Sequence, residues 1–282
     1  MPYIVPIGDA QAQFPDYSFV KALTPSEHKA AFHVRDGDGR DLCLKLIAPN
    51  YSVDRLNREI QALQNIDHPN VVVLVEYTYS SKHQQQRHYI IEQFVEGDDL
   101  TARLTGQPWS RTKVASFFAA LASGLEALRR AKVVHRDLKP NNIRVRHDDA
   151  PVIIDFGLAR HLDLPDITKT AEGAAIGTPA YFAPEQFGGT KHDIEHRTDL
   201  FAFGVLLYEA LIGQHPFFRP SRTWAELVRA VCQSDAHFTA DSFVQLPKQW
   251  RLLVRKLLAR QRADRPRTAG QVAAIINKIG AV

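Results

Sequence analysis

The sequence predicts an α+β fold of two packed units, a small and largely antiparallel sheet carrying one helix, followed by a larger helical part. Three observations lead there. The first part alternates in short apolar runs broken by turn residues, and from Trp109 onward the apolar period lengthens to three and four. Residues 199–212 are apolar nearly all round, the mark of a buried central helix rather than a surface one.

The elements follow in order. Residues 19–23, 30–35 and 42–47 read as strands of a meander, the last two parted by the turn Asp36-Gly37-Asp38-Gly39. Leu56, Ile60 and Leu63, spaced by four and three, predict a helix. It ends near His68-Pro69-Asn70, because proline lacks the N–H and its ring clashes with the preceding turn. Residues 71–79 and 88–94 predict two strands joined by a polar loop, and Gly97-Asp98-Asp99 looks like the crossing to the second unit. Beyond it Val114, Phe117, Phe118, Leu121, Leu125 and Leu128 form one helical stripe, and amphipathic runs at 250–258 and 271–279 complete the chain. The expected organisation is an arm over 1–18, a first lobe over 19–96 and a second over 97–282.

Composition narrows the function. With 282 residues, 45% of them hydrophobic and 23% charged, the chain can bury a sizeable core, which argues against disorder. The excess of 35 basic over 31 acidic residues is scattered, so neither a nucleic-acid partner nor a membrane surface is expected. Cys43 and Cys232 lack metal-ligand spacing, and the N-terminus lacks a basic segment followed by an apolar run. Both features suit a cytoplasmic protein without structural zinc or membrane insertion.

Chemistry concentrates in a few places. Lys45 lies in the apolar strand Leu42-Cys43-Leu44-Lys45-Leu46-Ile47, where an unpaired ammonium is costly. Glu59 shares a helix face with Leu56 and Leu63, so the two can answer each other; the other open reading is that Lys45 snorkels outward and Glu59 stays solvated. His135-Arg136-Asp137-Leu138-Lys139-Pro140-Asn141-Asn142 follows the apolar Val133-Val134. In extended chain Asp137 and Lys139 share a side, and Asn142 offers a neutral oxygen suited to a hard cation. Val152-Ile153-Ile154 runs as a buried strand into Asp155-Phe156-Gly157, which reads as a metal-holding carboxylate or, taken alone, as a tight turn.

Together these residues resemble the protein kinase family over roughly residues 19–279. The resemblance includes Gly177-Thr178-Pro179-Ala180-Tyr181-Phe182-Ala183-Pro184-Glu185, the start of the buried helix at Asp199, and Asp264-Arg265-Pro266. It implies a two-lobed catalytic domain that uses ATP and Mg²⁺ to phosphorylate Ser or Thr hydroxyls of protein substrates. Lys45, steadied by Glu59, would hold the α and β phosphates; Asp137 would accept the substrate proton and Lys139 would neutralise γ-phosphate charge. Asn142 and Asp155 would hold magnesium, Gln93 to Val95 would read the base edge, and Asp99 would take the ribose hydroxyls, with Ala31 also at the nucleotide. Glu185 and Arg265 resemble a buried structural pair, and Asp199 resembles the residue that anchors the catalytic loop.

Lys139 and Gly177-Thr178-Pro179 resemble the serine/threonine branch, and Pro184-Glu185-Gln186 resembles bacterial kinases of the eukaryotic-like (Hanks) type. A phosphate on Thr168 or Thr170, bringing about −1.5 to −2 charge, would order the activation segment against Arg136.

The chain departs from the family in two places. The glycine-rich loop holds Thr24, Ser26 and Lys29 at the three glycine positions, with Pro25 between the first two, so a stiffer loop is expected, whose side chains either obstruct the usual backbone contacts or replace them by reaching phosphate. Glu92 stands where an apolar or small gatekeeper is common, and Arg144 where an apolar residue lies under the base. Pairing of Glu92 with a nearby basic group is the expectation there. The glycine-free loop also supports an alternative, a pseudokinase acting as a nucleotide- or protein-binding module.

Overall fold

A computed structural model describes residues 2–26, 29–48, 60, 62–80, 87–155, 179–188, 194–218, 223–233, 236 and 238–281. They belong to two compact units, one drawn from Met1–His68 and Val72–Val95, the other from Pro69–Val71, Glu96–Gly157 and Leu164–Val282.

The first unit is a five-stranded antiparallel sheet preceded by helix α1 (Ile7–Gln13). Strands β1 (Ser18–Ala22), β2 (Lys29–Arg35), β3 (Asp41–Ile47), β4 (Leu74–Ser80) and β5 (Arg87–Gln93) lie in the order β1-β2-β3-β5-β4. The predicted turn closes β2 onto β3: the Asp36 carboxylate accepts the N–H groups of Asp38 and Arg40 at 3.1 and 2.9 Å, and Gly39 takes φ 77°.

Side chains alternate across β3. Leu42, Leu44 and Leu46 pack with Phe32, Val34 and Ile91 beneath Val5 and Ala10, flanked by Tyr3, Phe14, Tyr17 and Tyr89. The arm is therefore part of the core of this unit. Its helix carries no helical apolar stripe, and the sheet face supplies the burial that the isolated segment lacks.

Two predicted elements change. The strand expected over 71–79 begins at Leu74, because Asn70 and Val71 belong to the second unit. There Asn70 Nδ2 donates to the Pro151 carbonyl at 2.7 Å, the Asn70 carbonyl accepts the Ile153 N–H at 2.9 Å, and Val71 forms a parallel bridge to Ile153. Of the helix predicted around Leu56 to Leu63, only residues 60 and 62–64 are described, and they are helical.

The second unit combines a small sheet of β6 (Asp98–Asp99), β7 (Ile143–Val145) and β8 (Pro151–Ile153) with helices. The longer ones are α2 (Arg111–Arg130), α3 (His196–Ile212), α4 (Trp224–Gln233), α5 (Lys248–Leu257) and α6 (Ala269–Gly280). Among them α3 is buried along nearly its whole length, as its composition predicts. Glu195 and Thr198 form a reciprocal capping box at its start, and Gly213 ends it at φ 78°, where a Cβ would lie 2.5 Å from the Gly106 carbonyl oxygen. The carboxylate that interrupts this apolar helix, Glu209, accepts the Tyr181 hydroxyl at 2.9 Å, and burial pushes both groups up from their ordinary values. Among the described residues no helix is long and apolar enough to cross a membrane, and neither cysteine is in a disulfide.

Glu126 ties α2 to α6. Its carboxylate accepts Arg129 Nε and Nη2 at 2.9 and 2.7 Å and the Gly270 N–H at 3.1 Å, at the start of α6. The Arg129 guanidinium foremost, with the Gly270 N–H, holds the Glu126 carboxyl down at about 2. A folded-state value below the unfolded one gives stability that is present above the ordinary glutamate range and is lost as pH falls toward 2. Glu126→Gln is expected to lower stability at neutral pH by about 2 kcal/mol and to flatten its fall in acid. Chemical denaturation of both proteins at pH 7, 4 and 3 checks this; equal stabilities at pH 7 would exclude the role.

Candidate active site

The segment His135 to Asn142 is held at both ends and in the middle. The Asp199 carboxylate, buried in the first turn of α3, accepts the His135 N–H on Oδ2 and the Arg136 N–H on Oδ1, each at 2.8 Å. Burial pushes the Asp199 carboxyl up, while these backbone donors and the Arg136 guanidinium oppose the shift. His135 Nε2 donates to the Ile154 carbonyl at 3.0 Å, since a carbonyl only accepts. Its Nδ1 is thereby the acceptor for the Asp137 N–H at 3.3 Å. Arg136 takes φ 65°, a left-handed conformation that the surrounding bonds maintain.

Within this frame Asp137, Lys139 and Asn142 converge. Lys139 Nζ lies 2.9 Å from Asp137 Oδ2, and Asn142 Nδ2 donates to that same oxygen at 3.1 Å and to the Asp137 carbonyl at 2.7 Å. Asn142 heads β7 and Asp155 follows β8. The two strands pair Ile143 with Ile153, and the Asn142 carbonyl accepts the Ile154 N–H at 2.9 Å. Asn142 and Asp155 thus sit at the same end of one antiparallel pair, with Asp155 at φ 56°. Because the Asn142 NH₂ is spent on Asp137, the group it has for a cation is its amide oxygen. An amide oxygen and a carboxylate are hard donors of the kind that suits a divalent cation.

A second cluster supports the loop from below. Arg265, 2% exposed, donates to both Glu185 oxygens at 2.7 and 2.8 Å and to the carbonyls of Ala259, Arg197 and Arg260. Thr198 Oγ1 adds a bond to Glu185 at 2.9 Å. Beside it Gln186 donates to the Arg136 carbonyl and accepts the Ala183 N–H, both at 2.9 Å. In the sequence Gln186 stands out only as part of the Pro184-Glu185-Gln186 motif. Its place as the bridge between two loops far apart in the chain has no local signal.

In the first unit Lys45 lies opposite Ala31 on β2 and Ile90 on β5, and Glu92 lies opposite Cys43. Lys45 and Glu92 are therefore diagonal neighbours on one sheet face, within reach of two long side chains. Lys45 Nζ donates to Glu92 Oε2, with the residues 5% and 3% exposed. Lys45 does not snorkel outward, and Glu92 meets a basic group as expected. Glu59, the other proposed partner, lies outside the described residues, as do Thr168 and Thr170.

The loop between β1 and β2 is tied at Ser26, whose N–H donates to the Lys29 carbonyl at 2.9 Å and whose carbonyl accepts the Tyr3 N–H at 2.7 Å. Thr24 and Pro25 lie between this tie and the Leu23 N–H, which donates to the Ala31 carbonyl at 2.8 Å. At the end of β5 the Gln93 N–H is taken by the Val73 carbonyl, and the Phe94 N–H that follows is taken by the Asp41 carbonyl. Asp99, the residue expected at the ribose, meets Arg144, directly opposite it on β7. Arg144 Nη1 donates to Asp99 Oδ1 at 2.7 Å, and Nη2 donates to the Gly97 carbonyl. Gly97 itself, at φ 127°, leaves no room for a Cβ, which would meet the Val145 carbonyl oxygen at 2.0 Å.

Comparison with known proteins agrees with this arrangement. The family model described as protein kinase domain matches residues 31–275. Serine/threonine-protein kinase pkn2 of Myxococcus xanthus is 34% identical over 192 residues, which cover 64% of this chain and 22% of that protein. Probable serine/threonine-protein kinase PknB of Bifidobacterium longum is 28% identical over 83% of this chain and 35% of its own length. Serine/threonine-protein kinase ULK3 of Mus musculus is 35% identical over 76% and 43%. The chain spans less than half the length of these curated relatives. With the model matched across most of its residues, and with a five-stranded antiparallel unit followed by a helical one, the chain belongs to the protein kinase domain family.

Proposed function

We propose that this chain transfers the γ-phosphoryl group of ATP to Ser or Thr hydroxyls of protein substrates, with magnesium as the metal, and that it phosphorylates its own activation segment. The observation that carries the reading is the convergence on Asp137: a carboxylate aimed by Lys139 and Asn142, on a loop that Asp199 suspends from a buried helix. Such rigidity suits a reaction in which the protein mainly places and neutralises charge.

Asp137 Oδ2 orients the incoming hydroxyl and receives its proton. Lys139 pairs with that carboxylate and offers its remaining donors to γ-phosphate oxygens. Lys45 binds α and β phosphates, while Gln93 to Val95 and Asp99 orient base and ribose. Asn142 Oδ1 and Asp155 would hold magnesium, which when bound neutralises phosphate charge. Lys139 and the segment around Pro179 favour Ser and Thr over Tyr, and the Arg136 guanidinium donates to a phosphate on Thr168 or Thr170.

A second reading, a nucleotide- or protein-binding module without transfer, is favoured by the Arg144–Asp99 pair and the glycine-free loop. One experiment separates them. The purified chain, incubated with magnesium and labelled ATP with and without a generic protein substrate, is expected to incorporate label, and Asp155→Ala is expected to incorporate none. ATP binding without label in the intact chain would favour the second reading. Mass spectrometry of the same samples is expected to find phosphate between Asp155 and Glu185; its absence would remove self-phosphorylation.

A further inference from the structure

We propose that Glu92 is a positioning residue for Lys45, a carboxylate built into the sheet that aims the phosphate-binding ammonium from the neighbouring strand. The inference rests on the nucleotide reading of Lys45 given above and extends it to a residue with no assigned part.

The placement follows from the ladder. β3 and β5 are adjacent interior strands of the five-stranded sheet, paired from Leu42 with Gln93 to Leu46 with Tyr89. Lys45 opposes Ile90, so Glu92 is two residues along on the same face, the diagonal position that long side chains bridge. The opposite face, through Leu44, Leu46 and Ile91, is packed under the N-terminal arm, which keeps both strands from rotating. A buried ammonium needs a carboxylate nearby to stay charged, and Glu92 provides one at the same depth.

Two consequences follow. A partner on the next strand moves only if the ladder moves, whereas a partner on a helix moves whenever the helix shifts. Glu92 thus aims Lys45 from within the sheet itself. The same strand also runs directly into Gln93 and Phe94, whose N–H groups are fixed by Val73 and Asp41. One rigid segment therefore sets the lysine for the phosphates and the backbone for the base. An ammonium carries three donors, and the bond to Glu92 takes one of them.

The test is a double-mutant cycle in ATP affinity, measured by calorimetry on the full chain with magnesium present, with melting temperatures taken alongside. Glu92→Met fills the site with an apolar chain, and Lys45→Met/Glu92→Met replaces the whole pair, a change that buried ion pairs tolerate. Glu92→Met is expected to weaken ATP binding about tenfold in the wild-type background and not at all in the Lys45→Met background. A purely structural residue would weaken both alike. Unchanged or tighter binding in Glu92→Met would overturn the proposal and make Glu92 a competitor of the phosphates. If Glu92→Met fails to fold, Glu92→Gln takes its place in the cycle with the same expected pattern. Should Lys45→Met alone leave ATP affinity unchanged, the nucleotide reading of Lys45 falls, and the positioning role falls with it.

Discussion

Asp137→Asn is expected to lower the rate of phosphoryl transfer by about 10²- to 10⁴-fold while ATP affinity stays as in the wild type. The amide keeps the shape of the carboxylate, and the frame that holds residue 137 does not depend on its charge: Asp199 binds the backbone of His135 and Arg136, and Gln186 binds the Arg136 carbonyl. What the variant loses is the oxygen that takes the proton. Oδ2 lies 2.9 Å from Lys139 Nζ and 3.1 Å from Asn142 Nδ2, so an amide nitrogen in its place would face two donors, and the amide would turn to present its oxygen to them. The amide oxygen in that place is too weak a base to take the substrate proton. Steady-state kinetics with a protein substrate, beside calorimetric ATP titration, reads both quantities. A wild-type rate would remove Asp137 from the chemistry; a joint loss of binding and rate would point to a collapsed loop.

The largest expected loss of stability is at Arg265. Arg265→Ala removes five hydrogen bonds and leaves the Glu185 carboxylate buried with, among the described residues, the Thr198 hydroxyl alone, a loss of about 3–5 kcal/mol. Arg265→Lys is expected to recover little, because a single ammonium cannot span both Glu185 oxygens and three carbonyls. Glu185→Leu/Arg265→Met should regain part of the loss, since no buried charge remains, but the carbonyls of Ala259, Arg197 and Arg260 keep it below the wild type. Trp109, Trp224 and Trp250 all lie in the second unit, so tryptophan fluorescence during urea unfolding reports on this cluster directly. A loss under about 1 kcal/mol for Arg265→Ala would make the pair incidental.

Elements with a strong internal period are legible in the residues themselves. The apolar circumference of residues 199–212 is the buried helix α3, and the stripe from Val114 to Leu128 is α2. The clustering of Asp137, Lys139 and Asn142 follows from their spacing, because their geometry is local to one loop. The arm is a different matter. Ile7–Gln13 has no helical stripe, and only its packing on the sheet makes it a helix. β4 starts later than its apolar run predicts because Asn70 and Val71 are claimed by Pro151 and Ile153, some eighty residues away in the chain.

By itself the sequence determined the family, the run of strands and then helices, and the polar cluster from His135 to Asn142, since each rests on short-range periodicity or on contiguous motifs. Tertiary structure decided who pairs with whom. That Lys45 meets Glu92, that Asp99 meets Arg144 and that Gln186 bridges to Arg136 depend on strand register and on loops brought together over long chain separations. Register moves a side chain across a sheet or along it without altering composition or period, so no count of residue types reveals it.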